Sequence, residues 1–171
     1  MNYYPELPYQ PYRKTSIEMG AVIDALKRFD VSREIKISCY VIFRNESGNG
    51  RSGINNNYIG AQADASRWPD SLNQYITGWT KRNENMTGKE RLFLTFADVS
   101  GSLAFLIDRI KSRGLFVGGY CNVIANMFIN DPEDWAVCYY RSWVTGSKTA
   151  KIPESERNGI LSMYRAGEKI F

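Results

Sequence analysis

Apolar side chains recur at helical spacing over most of this chain, and caps and glycines mark where the runs stop. Ile17, Ala21, Val22, Ala25, Leu26 and Phe29 form one amphipathic stripe with Ser16 placed to cap it, which predicts a first helix ending near Phe29. Ser32 opens a second run, Ile35, Ile37, Cys39, Tyr40, Val41, Ile42 and Phe43, apolar nearly all the way round. Helices of that kind are usually central and buried. This one is predicted to end at Asn45-Glu46-Ser47-Gly48, where the chain enters a stretch dense in Gly and Asn that reads as a hairpin or long turn.

Beyond it, Leu72, Tyr75, Ile76 and Trp79 predict a short helix over Ser71 to Trp79, followed by a polar loop at 80–90. Ser100 or Gly101 opens a further helix carrying Leu103, Leu106, Ile107 and Ile110 and stopped by Gly114. The segment 122–130 continues in helical style. Asp131 followed by Pro132 reads as an N-cap with proline at the first helical position, starting a helix that runs through Tyr139 and Trp143 to Gly146. A last helix is expected from Glu154 to Ala166. The sum is about seven helices around one small β element, a mainly α (α+β) fold. With no internal repeat and no splitting linker, residues 16–171 are expected to form one domain. Residues 1–15, rich in Tyr and Pro and without helical period, are expected to form an extended arm on its surface.

Composition narrows the chemistry. The 171 residues are 43% hydrophobic and 23% charged, as in an ordinary globular domain able to bury its own core. The net charge of +4 is scattered, which implies mild attraction to polyanions and no basic tail; nucleic-acid binding is disfavoured because no basic-aromatic module is present. There is no His, so His-based triads, imidazole bases and the commonest zinc sites are excluded, and Ser52 has nothing to activate it as a nucleophile. Acid-base work falls to carboxylates, Tyr or Lys; no metal and no cofactor is expected. Cys39, Cys121 and Cys138 are widely spaced and odd in number, and read as buried thiols of a reducing compartment. The first residues are not basic then apolar, and no apolar run reaches membrane-spanning length. The expectation is therefore synthesis in a reducing cytoplasm without a signal peptide, with delivery by a holin, a secretion system or a virus particle if the target is a cell wall.

One carboxylate stands out. Glu46 closes the apolar second helix, where a wall excluding water would disfavour its charged form and raise its pKa toward that of a general acid. The glycines after it let backbone approach a bulky ligand, and the asparagine amides, Asn56 among them, together with Gln62 and Ser52, are suited to bonding sugar hydroxyls. Tyr58 and Trp68 are candidate stacking platforms beside a saccharide. Asp64 lies 18 residues after Glu46 (64 minus 46), on the expected returning arm of the hairpin, where a second carboxylate of a glycosidase is placed.

From Ala25 to Asp64 the chain resembles the corresponding stretch of bacterial and phage glucosaminidases of the lysozyme superfamily. There an apolar helix ends in Glu-Ser, followed by a Gly-x-Ser element, then Asn-Asn, an aromatic or apolar residue and Gly. Here the same order reads Glu46-Ser47, Gly50-Arg51-Ser52, Asn55 to Asn57, Tyr58 and Gly60. Phe96 to Val99, Ser102-Leu103 and Ile107 to Ile110 are loosely similar to the aromatic loop and helix that follow in those families. The resemblance spans about two thirds of the chain, and its specific part is the block from Glu46 to Gly60. Where the family shows Leu-Phe-Gly-Ile after the asparagines, this chain has Tyr58-Ile59-Gly60-Ala61.

The resemblance implies a lysozyme-like helical domain with a small β-hairpin beside a cleft. It also implies peptidoglycan or a related amino-sugar polymer as substrate, and Glu46 in the position of the catalytic acid. Hydrolysis with Asp64 as partner and lytic transglycosylation using the substrate's own groups both remain open. The alternative expectation is a catalytically inactive lysozyme-fold protein, a virion component or wall-associated adaptor, with the N-terminal arm holding a protein partner.

Overall fold

The computed structural model describes residues 6–64, 68–83, 88–117, 120–122 and 131–171. Five α-helices interleave with three two-stranded antiparallel sheets among these residues, a mixed α+β fold. In chain order the elements are β1 (Lys14–Thr15), α1 (Met19–Arg28), α2 (Arg33–Glu46), β2 (Gly53–Ile54), a 3-10 helix (Asp70–Tyr75), β3 (Ile76–Asn83), β4 (Glu90–Phe96), α3 (Val99–Arg113), β5 (Leu115–Val117), β6 (Tyr120–Asn122), α4 (Pro132–Tyr139), a π-helical stretch (Tyr140–Thr145) and α5 (Glu154–Ile170). The chain groups into two compact units, Met1–Arg28 with Ile42–Leu106 and Phe29–Val41 with Ile107–Phe171. No helix among the described residues is long and apolar enough to cross a membrane.

In the first unit the arm is part of the sheet structure. The backbone N–H of Trp79 donates to the Pro8 carbonyl at 3.0 Å, Gln10 N–H donates to the Trp79 carbonyl at 2.7 Å, and the Trp79 indole donates to Leu7 at 2.7 Å. Further along, Lys14 pairs with Ile54 and Thr15 with Gly53, so the expected surface arm supplies an edge to two sheets. Gly78 has a positive φ of 152°, and a Cβ there would lie 2.2 Å from the Pro8 carbonyl oxygen. Only glycine admits the arm so close to the hairpin.

The long hairpin β3–β4 is the largest departure from the sequence reading. The helix expected over Ser71 to Trp79 is a 3-10 turn followed by a strand, and the polar loop expected at 80–90 contains strand at both ends. Register runs from Ile76 opposite Phe96 to Asn83 opposite Glu90, with a bulge between Ile76 and Gly78. Ile76, Trp79 and Thr80 favour strand, and their partners are Phe96, Leu94 and Phe93, far off in sequence. In the stretch read as a hairpin or long turn, residues 48–64 form a long looped segment that holds β2 and single bridges of Ile54 with Asn57 and of Gln62 with Phe93.

The other helices fall close to expectation. Ser32 Oγ accepts from the Ile35 N–H at 3.4 Å and so opens α2, and Asp131 caps α4 by accepting from Glu133 N–H at 2.8 Å. Gly114 and Gly146 close their helices at positive φ. The first helix starts at Met19, three residues after the expected Ser16 cap, with the Glu18 carbonyl accepting from Ala21 N–H. Asn122 ends β6 rather than opening a helix, and 123–130 lie outside the described residues, as do Met1 to Pro5 of the arm.

The second unit is built on apolar packing. Ile35, Ile37, Cys39, Tyr40 and Val41 of α2 are buried, as are Trp135, Cys138 and Tyr139 of α4 and Ile160, Leu161 and Tyr164 of α5. The Trp135 ring stacks on Tyr139 at 5.3 Å and meets Tyr164 at 5.2 Å, while its indole N–H donates to Ser38 Oγ at 2.9 Å. Cys39 and Cys138 are free thiols; burial pushes the Cys39 pKa up, and burial reinforced by Asp134 pushes Cys138 up to about 11. The side chain of Cys121 lies outside what is described.

Candidate functional site

Glu46 is the last residue of α2, and the turn after it is pinned from inside. Ser47 is fully buried: its hydroxyl donates to the Phe43 carbonyl at 2.5 Å and accepts from the Gly50 N–H at 2.8 Å. Asn49 N–H donates to the Arg44 carbonyl at 2.8 Å, Ser52 N–H to the Ser47 carbonyl at 3.0 Å, and Ile17 N–H to the Gly50 carbonyl at 2.8 Å. Gly50, at φ 82°, would place a Cβ 2.2 Å from the Ile17 carbonyl oxygen, so no other residue fits there. The turn thus holds one backbone path while Asn45, Glu46, Asn49, Arg51 and Ser52 face solvent.

This corrects the expectation of a water-shielded acid. Burial along α2 stops at Phe43: Arg44 is half-buried, Asn45 and Glu46 are exposed, and the chain turns back inside at Ser47, just past the helix. Glu46 is exposed, and any shielding has to come from a bound ligand.

The three asparagines that follow are structural clamps. Asn55 Oδ1 accepts from Arg13 N–H at 2.7 Å and its Nδ2 donates to the Pro11 carbonyl at 2.8 Å, tying the loop to the arm. Asn56 Nδ2 donates to the carbonyls of Phe96 and Ala97 at 3.1 and 2.8 Å. Asn57 Nδ2 donates to the Ala61 and Leu94 carbonyls at 2.8 and 2.9 Å, and its Oδ1 accepts from Ala61 N–H at 3.0 Å. Asn55 and Asn56 sit at positive φ, a conformation asparagine tolerates better than most residues. The Asn56 amide expected to bind sugar is therefore spent on backbone.

Two of the expected stacking aromatics are core. Tyr58 is 3% exposed with its ring 5.3 Å from that of Phe43, and Trp68 is 2% exposed, 6.0 Å from Phe105, with its indole donating to Asn73 Oδ1. Neither presents a face to a saccharide, because large aromatics gain most by leaving water altogether. Gln62 is half-buried and bridges to Phe93 of β4; Asp64, two residues on, is exposed; Ser52 is exposed in the turn. Of the seven expected site residues, the structure presents Glu46, Ser52 and Asp64 to solvent and Asn56 and Gln62 in part.

Ser102 was not singled out by sequence and proves central to the loop. Fully buried in α3, it donates to the Asn56 carbonyl at 2.8 Å and accepts from the Tyr58 N–H at 2.9 Å. Its only sequence signal is a small polar residue beside Leu103 on the apolar side of a helix. Among the described residues no group of three or more Cys, Asp or Glu is placed to hold a metal ion. What the turn offers chemically is one accessible carboxyl on a fixed backbone. Comparison of the chain with protein-family models, with curated proteins and with solved structures finds no match.

Proposed function

We propose that this chain is a lysozyme-like enzyme that cleaves the glycosidic bond of peptidoglycan or a related amino-sugar polymer, with Glu46 as general acid. The observation that carries the reading is the exposed Glu46 at the end of the buried helix α2, followed by a turn held by the Ser47 hydroxyl and by backbone bonds of Asn49, Gly50 and Ser52. A polymer reaches only an acid that stands at the surface, and a fixed backbone places that acid without further ordering. The bound saccharide itself supplies the desolvation that the protein wall does not.

In the proposed step the Glu46 carboxyl gives its proton to the glycosidic oxygen as the bond from C1 breaks, leaving an oxocarbenium-like sugar and a Glu46 carboxylate. Water or a hydroxyl of the same sugar then captures C1, and its proton returns to Glu46. Asp64 is the candidate partner for the water route. Action at the cell wall, after delivery from the cytoplasm, belongs to the same proposal.

A second reading, a non-catalytic wall-binding or virion protein, is favoured by the burial of Tyr58 and Trp68 and by the internal bonding of Asn56, which remove three expected saccharide contacts. Turbidity of isolated bacterial walls separates the two. The enzyme clears the suspension and releases soluble fragments; protein that sediments with the walls and leaves turbidity unchanged overturns the glycosidase and supports the adaptor.

A further inference from the structure

The arm and the hairpin of the first unit enclose a groove of about 600 Å³, lined by Gln10, Tyr12, Arg13, Asn55, Thr77 and Phe96 among others. Its frame is rigid. Asn55 holds the arm through the Arg13 N–H and the Pro11 carbonyl, and Gln10 Nε2 donates to the Thr77 carbonyl at 3.2 Å. The Thr77 and Thr95 hydroxyls share a hydrogen bond at 2.9 Å. Tyr12 is 47% exposed, one of three large hydrophobic side chains left so open among the described residues, and the Arg82 guanidinium lies 6.0 Å from its ring centre. Arg13 is exposed, and no carboxylate is among the lining residues.

The groove thus combines an aromatic face with a guanidinium fork. An aromatic ring held open to water suits the apolar face of a sugar. A guanidinium suits a carboxylate, through two parallel charge-assisted bonds. We infer that this groove is a binding subsite for a carboxylate-bearing sugar unit, with Arg13 pairing the carboxylate and Tyr12 stacking the ring. The inference rests on the proposed activity for the source of that sugar, a polymer of amino sugars. The groove needs no part of the Glu46 turn to bind.

Calorimetry on the full chain tests it, with two probes of equal length: the disaccharide of N-acetylglucosamine and N-acetylmuramic acid, whose lactyl carboxylate is free, and uncharged di-N-acetylchitobiose. Wild type is expected to bind the acidic disaccharide about tenfold more tightly than the neutral one, a preference that shrinks with added salt. Arg13→Gln is expected to erase the preference. Tyr12→Ala is expected to weaken both probes about fivefold. Both side chains are exposed, and matched unfolding midpoints check that the variants fold.

Arg13→Gln binding the acidic disaccharide within twofold of wild type overturns the assignment, as does failure of wild type to bind either probe at millimolar concentration. Arg13-dependent preference in a chain that cleaves no polymer keeps the subsite and overturns the glycosidase. Glu46-dependent cleavage without the preference does the reverse.

Discussion

In the first unit, loop 53–63 is fastened by polar side chains reaching across to backbone: Asn55 to the arm, Asn56 to the end of β4, Asn57 to Leu94, and Ser102 to the loop itself. In the second, Trp135 stacks on Tyr139 and meets Tyr164 at a tilt, Gly167 of α5 lets Ile37 and Tyr40 approach to about 3 Å of where a Cβ would be, and two thiols are buried. Apolar packing tolerates small slides because it is not directional, whereas a hydrogen-bonded clamp fixes a loop to a fraction of an ångström. The unit that needs an irregular backbone held in one shape is the one that carries Glu46. Polar clamping there holds an irregular stretch of backbone that no regular element supports.

The largest expected effect belongs to the packed unit. Trp135→Ala removes a ring buried on every side and strands the Ser38 hydroxyl, and should lower unfolding free energy in urea by about 3–5 kcal/mol. Asn57→Ala takes three hydrogen bonds from a residue that is 2% exposed, at an expected cost of about 2–3 kcal/mol. A loss below about half a kilocalorie there would mean the clamps are incidental and the contrast between the units is false.

The buried Cys138 thiol adds a pH signature. Its folded pKa is about 11 against an ordinary 9.0, so between these values the unfolded chain sheds a proton that the folded chain keeps, and stability falls as pH rises. Unfolding titrations should show wild type losing about 2 kcal/mol more than Cys138→Ala from pH 9 to pH 11. The two curves would run parallel if the thiol were not buried. Smallest is Ser52→Ala in the exposed turn, where a change under about 0.5 kcal/mol is expected, because the turn is bonded through the Ser52 backbone N–H and not its hydroxyl.

Much of the helical framework was legible from sequence because its signals are local. The all-apolar run from Ile35 to Phe43, the Asp131-Pro132 cap and the glycines at 114 and 146 each act within a turn or two of where they stand. The β3–β4 hairpin was not, since Leu72, Tyr75, Ile76 and Trp79 match a helical face equally well, and only the pairing of Ile76 with Phe96 and of Trp79 with Leu94 decides for strand after Tyr75. The alternation of Leu92, Leu94 and Phe96 was the signal available. The candidate site was legible as a position and not as an environment. Glu46 does close the central helix, but the asparagines beside it looked like ligand groups, and composition does not reveal whether an amide bonds a sugar or a neighbouring carbonyl. For the same reason Tyr58 and Trp68 looked like platforms and are core.

The central claim is that Glu46 is the proton donor of a bond-breaking site, and purified peptidoglycan incubated with wild type and with Glu46→Gln tests it most directly. Urea unfolding checks that both proteins are folded, and release of new reducing sugar ends should fall by at least about 100-fold in the variant. Reducing ends appearing at the wild-type rate from a folded Glu46→Gln protein would contradict the account.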